Sequence, residues 1–118
     1  MRYNIFHMAK IQKKSTSEIV FEIKSKQGFL IKTTRTYWDI ITRVKHPSIQ
    51  GKEKYVKETL ASPDEIRVSK KAKDVYLFYK KYRNKFLCVV ARIRGNKGFI
   101  ITAYHTKKIK EGELKWKR

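Results

Sequence analysis

The chain has 118 residues, 41% of them hydrophobic and 13% aromatic, which suits one domain with a single core. It carries 30 Lys and Arg against 10 Asp and Glu, a net charge of +20. With one cysteine and no apolar run of about 18 residues, an internal disulfide and a transmembrane helix are both excluded.

The charge is the outlier. It is divided as +7 in residues 1–50 and +13 in 51–118, so it belongs to a folded surface and not to a detachable tail. Self-repulsion at that charge costs stability, and the usual compensation is a polyanionic partner. A heat-adapted surface raises Glu together with Lys, and this one does not. The N-terminus, Met1-Arg2-Tyr3-Asn4-Ile5-Phe6-His7, lacks the apolar core of a signal peptide, so the expected location is cytoplasmic, with no membrane partner.

In chain order, residues 3–12 alternate weakly and suggest an edge strand. Glu18–Lys24 alternates clearly, with Ile19, Phe21 and Ile23 on one face. Gln27-Gly28 then makes a turn and Phe29–Thr34 returns as the second strand of a β-hairpin. Thr34 or Thr36 can cap a helix from about Tyr37, with Tyr37, Ile40, Ile41 and Val44 as its apolar stripe. Pro47 ends that helix and leaves His46 at its C-terminal end. A second helix spans about Lys52–Ala61, where Val56 and Leu60 share a face.

Four strands follow, Glu65–Lys70, Val75–Tyr82, Phe86–Arg94 and Gly98–Tyr104, with breaks at Lys71–Asp74, Arg83–Lys85 and Gly95–Lys97. The expected fold is therefore α+β in one domain, residues 1–118: an N-terminal β-hairpin extension over 1–36, then two helices and a four-stranded antiparallel sheet in a core over 37–116, with the helices packed on one face. Alternation assigns Ile66, Val68, Val75, Leu77, Tyr79, Leu87, Val89, Ala91, Ile93, Phe99, Ile101 and Ala103 to the helix-facing side. The open side receives Arg67, Ser69, Tyr76, Phe78, Lys80, Phe86, Cys88, Val90, Arg92, Ile100, Thr102 and Tyr104. An open sheet face with aromatics and cations is a platform for bases and phosphates. The basic C-terminal stretch, Lys107–Arg118, is expected to lay Leu114 and Trp116 on the core.

No metal-ligand spacing, phosphate-cradling glycine loop, nucleophile elbow or carboxylate pair in an apolar context occurs, so neither a metal nor a cofactor is expected. Metal-free RNA cleavage needs only a base, an acid and cations around the phosphorane. His46 is the candidate acid or base. Thr102 and Tyr104, two apart on one strand, can hydrogen-bond the phosphate or relay a proton. Arg67, Arg92 and Lys80 are candidate phosphate-binding cations. Without catalysis, the same face reads as an RNA- or DNA-binding module stacking bases on Tyr76, Phe78 and Phe86. A third reading is an interaction protein with no affinity for RNA.

A spaced pattern runs through His46-Pro47, Val56, Thr59-Leu60, Pro63-Asp64-Glu65-Ile66-Arg67-Val68-Ser69, Val75-Tyr76-Leu77-Phe78-Tyr79-Lys80, Val89-Val90, Gly98-Phe99-Ile100-Ile101-Thr102-Ala103-Tyr104 and Ile109-Lys110-Glu111-Gly112. It resembles the phage-associated nucleases of the barnase–EndoU–colicin–RelE-like group over about Tyr37 to Trp116. The resemblance implies a toxin-like endoribonuclease that leaves a 2′,3′-cyclic phosphate. The family-like positions are His46, Arg67, Ser69, Tyr79, Lys80, Thr102 and Tyr104; with Arg92 added from the sheet-face reading, the expected catalytic residues are His46, Arg67, Thr102 and Tyr104 and the expected substrate-binding residues Ser69, Tyr79, Lys80 and Arg92. The implied partners are tRNA, mRNA or ribosome-associated RNA, and an acidic antitoxin or immunity protein.

Overall fold

A computed structural model describes residues 18–118. The strand expected over residues 3–12 lies outside them. The described chain forms one seven-stranded mixed sheet, ordered β1-β2-β6-β5-β4-β3-β7. The strands are β1 (Ile19–Lys24), β2 (Leu30–Thr34), β3 (Glu65–Val68), β4 (Val75–Tyr82), β5 (Lys85–Arg94), β6 (Lys97–Thr106) and β7 (Glu113–Lys117). The expected four-stranded antiparallel sheet with a separate hairpin is therefore wrong. The hairpin joins the sheet, because β2 pairs in parallel with β6 over Leu30–Lys32 and Lys97–Phe99. The C-terminal stretch is also a strand: β7 pairs antiparallel with β3, a second departure from the expected tail.

Gly98, between β2 and β5, is closely packed on the β5 side. A Cβ there would stand 2.7 Å from the Arg92 carbonyl oxygen and 2.5 Å from Ile93 Cδ1. The crowding is therefore with β5, whose Ile93 is the antiparallel partner of Gly98, while Ile31 on β2 stands at an ordinary 3.5 Å.

Between β2 and β3 lie the helical elements. Helix α1 (Arg35–Asp39) is capped by Thr34, whose Oγ1 accepts from the Tyr37 N–H at 3.3 Å. It runs into a π-helical segment, Ile40–Lys45, closed by an i→i+5 bond from the His46 N–H to the Ile41 carbonyl at 2.7 Å. The wider turn rotates the expected apolar stripe: Ile40 and Ile41 are buried, while Val44 is 48% exposed. A 3₁₀ turn (Pro47–Ile49) leads to α2 (Glu53–Ala61).

The core forms where Trp38, Ile41, Ile49, Val56 and Leu60 meet Ile66, Phe78, Leu87, Val89, Ile100 and Ala103 of the sheet. Two of the expected face assignments are inverted. The β4–β5 loop has two residues, since Tyr82 pairs with Lys85, and this places Phe78 opposite Val89 and Tyr79 opposite Cys88. Tyr76 and Phe78 thus face the core and are not free to stack bases, while Leu77 and Tyr79 turn to the other side. A three-residue break shifts the phase by one, which flips every side chain of β4. In β6 a bulge leaves Ile101 unpaired between Ala91↔Ile100 and Val90↔Thr102. Ile100 therefore goes into the core with Ala103, and Phe99 joins Thr102 and Tyr104 on the opposite face.

Among the described residues no helix is long and apolar enough to cross a membrane.

Candidate functional site

The face away from the main core has a grid set by strand register. One row runs Glu65, Tyr79, Cys88, Tyr104, and the next Arg67, Leu77, Val90, Thr102, with neighbouring strands roughly 4.8 Å apart. The β6–β7 loop folds back over this face. Ile109 packs against a small second cluster of Leu77, Tyr79 and Cys88. Gly112 allows the fold-back: its φ is 87°, and a Cβ would stand 2.9 Å from the Val68 carbonyl oxygen.

The loop and the first row enclose a pocket of about 430 Å³, walled by Tyr79, Tyr104 and Thr106 on the sheet and by Lys107, Lys108, Lys110 and Glu111 on the loop. Tyr104 Oη lies 3.0 Å from Glu111 Oε1, donating to its carboxylate, and Tyr79 Oη donates to the Glu111 carbonyl at 3.4 Å. Burial, and then the Cys88 thiol nearby, raise the pKa of Tyr104, so its phenol stays protonated and acts as a hydrogen-bond donor. Burial likewise raises that of Tyr79 and pushes the Cys88 thiol up to about 12, leaving the sulfur an inert thiol between two phenols.

His46 reaches this row from the side. β2 stops pairing at Phe99, and the turn around residues 45–49 covers the edge of β6 beyond it; Lys45 Nζ lies 3.5 Å from the Ile101 carbonyl oxygen. The His46 ring stacks on Tyr104 with centroids 5.6 Å apart. Burial, and then the Lys45 ammonium beside it, lower its pKa below 6.5, so the imidazole is neutral at pH 7 and able to accept a proton.

Of the residues singled out from sequence, Tyr79 and Tyr104 line this pocket, His46 stands beside it on the Tyr104 ring, and Thr102 lies one row away with a buried Oγ1 that has no partner among the described residues. The others do not converge. Arg67 Nε donates to Glu65 Oε2 at 2.6 Å and Nη1 to the Gly112 carbonyl at 3.0 Å, so this guanidinium fastens the loop instead of clamping a phosphate. Arg92 lies at the far end of the sheet, 3.4 Å from Asp74. Lys80 points to the helix side and donates to the Ser62 carbonyl at 2.8 Å. Ser69 caps a turn, its Oγ accepting from the Lys71 N–H at 3.1 Å.

Glu111 and the lysines at 107, 108 and 110 were not among the expected site residues. The available signal was a carboxylate directly after the lysines of a basic run that follows the Thr-Ala-Tyr strand. No three His, Cys, Asp or Glu residues gather as a metal-ligand group among the described residues. Comparison of the chain with protein-family models, curated proteins and solved structures finds no match.

Proposed function

We propose that the protein is a small, basic, metal-independent endoribonuclease whose site is the Glu111 pocket. The observation that carries this reading is a neutral imidazole stacked on a protonated tyrosine that is hydrogen-bonded to a carboxylate, at the edge of a lysine-lined pocket. His46 takes the proton of the ribose 2′-hydroxyl. The 2′-oxygen attacks the adjacent phosphorus and the bond to the 5′-oxygen breaks; Tyr104 turns its proton from Glu111 to the leaving oxygen and then regains one from the His46 imidazolium by way of solvent, which restores both groups. Glu111 holds the Tyr104 hydroxyl in place, and Lys107, Lys108 and Lys110 offset the negative charge of the phosphorane. The products are a 2′,3′-cyclic phosphate and a 5′-hydroxyl. Arg67 keeps a positioning role by fixing the loop. The spaced motif supports kinship with the barnase–EndoU–colicin–RelE-like nucleases, and with it a toxin-like role in the cytoplasm restrained by an acidic partner.

The test is incubation of the purified chain with tRNA and total RNA in excess EDTA. Wild type yields fragments ending in 2′,3′-cyclic phosphate. His46→Ala lowers turnover by roughly 10²-fold or more, the typical share of one acid–base group, and leaves the affinity for 2′-O-methyl RNA unchanged. Cleavage that survives both His46→Ala and Tyr104→Phe overturns the assignment.

A second reading, an RNA- or DNA-binding module without turnover, is favoured by the engagement of Arg67 and Arg92 with Glu65 and Asp74, which leaves the pocket lysines but no guanidinium. It predicts binding without cleavage in the same assay.

A further inference from the structure

Tyr104 and His105 are neighbours on β6 and point to opposite sides of the sheet. His105 is paired with Leu87 of the main core and reaches a second concavity of about 340 Å³, lined by Ser48, Lys52, Tyr82, Arg83, Lys85 and His105 among others. Lys52 Nζ lies 3.1 Å from His105 Nε2. An ammonium has only donors, so Nε2 must accept and the proton sits on Nδ1, which is buried and has no partner among the described residues. The Tyr82 ring is already covered: His105 lies 5.2 Å from it, Lys52 5.1 Å and Arg83 5.6 Å.

Among the described residues the charge here has no internal counterpart. The lining contains no Asp or Glu, and none of Lys52, Arg83 and Lys85 forms a salt bridge among the described residues. Glu58 belongs to the adjoining groove, which also holds Lys80 and Lys81. Three cations and a hydroxyl around one concavity fit a phosphate group. With the aromatic face occupied, nothing is left to stack a base, so the site recognises backbone and carries no sequence preference.

We propose that this pocket is a second phosphate site, holding a backbone phosphate of the same RNA strand that enters the Glu111 pocket. The inference rests on the RNA reading of that first pocket. The two concavities share the end of the β5–β6 ladder: Thr106, in the last pair with Phe86, lines one, and Lys85 and His105 line the other. A single strand bending round this end of the sheet meets both.

The histidines supply separate reporters, His46 for the first pocket and His105 for the second. The full chain with labelled histidine rings is titrated by NMR with inorganic phosphate and with a 2′-O-methyl oligonucleotide, which cannot be cleaved. The expected result is movement of His105 with both ligands and of His46 with the oligonucleotide. The double variant Lys52→Gln, Lys85→Gln should retain the wild-type core resonances. Its plot of log affinity against log salt should be shallower by about 1.4, about 0.7 for each lost contact to a single strand. Movement of His46 alone, or an unchanged salt slope, overturns the second site and leaves the RNA reading standing. Movement of His105 with phosphate but not with the oligonucleotide overturns the backbone assignment in favour of a small phosphate ligand. If the oligonucleotide moves neither ring, the RNA reading itself falls.

Discussion

His46 owes its position to its immediate neighbours in the chain. Pro47 forces the backbone out of the helix, the π turn carries the ring toward β6, and Tyr104 supplies the surface on which it rests. The pH dependence follows from the lowered pKa of His46 and His105, in both cases through burial first and then neighbouring lysine. Each histidine is neutral in both folded and unfolded chains above 6.5. As pH falls through 6.5 the unfolded chain takes up protons first, so stability declines until the lower folded pKa values are reached. Thermal melting followed against pH should show that fall; a flat or rising profile contradicts it. If His46 is the base, kcat/KM rises with pH through a pKa below 6.5 and is level at neutrality. This pair was partly legible in the sequence, because a proline fixes a helix end and strand alternation aims Tyr104. Glu111 was not, since a carboxylate in a loop has no periodicity and its place depends on Gly112 folding back over Val68.

At the level of elements, the spans of the hairpin, α2 and β4 were readable from alternation, spacing and turn residues. The orientation of the strands was not. Val75–Tyr79 is apolar or aromatic at every position, so alternation has no polar reference there, and a one-residue difference in loop length decides which face is core. The Ile101 bulge adds a second reversal within β6. Gly98 offers the sharpest test. Gly98→Ala places a methyl 2.7 Å from the Arg92 carbonyl oxygen of β5, so β5 and β6 must separate or shift there. Urea unfolding should show a loss of about 1–3 kcal/mol, the usual cost of forcing extra volume into a packed site. An unchanged midpoint would mean that the β5–β6 pair is not tightly packed at Gly98.

On the scale of the whole molecule, the +20 charge is spread over both halves of the chain, while carboxylates at 65 and 74 neutralise particular arginines. The lysines around the two concavities are among the cations that no carboxylate of the described residues pairs, and they are left to meet a polyanion. Affinity for RNA should therefore fall steeply and linearly on a log–log plot against salt, by about 0.7 per phosphate contacted on a single strand. A salt-independent affinity, or none at low salt, contradicts both nucleic-acid readings and leaves the interaction-protein alternative.

By itself the sequence determined the positions of most strands and helices, the helix stop at Pro47 and the excess of positive charge, because these depend on local propensity and composition. Only the tertiary structure decided that the hairpin and the C-terminal strand complete one sheet, that Arg67 fastens a loop, and that Glu111 lies against Tyr104. Those outcomes rest on pairings between residues far apart in the chain. They turn on the absence of a side chain at Gly112 and on the parity of a two-residue turn, neither of which leaves a periodic trace in the sequence.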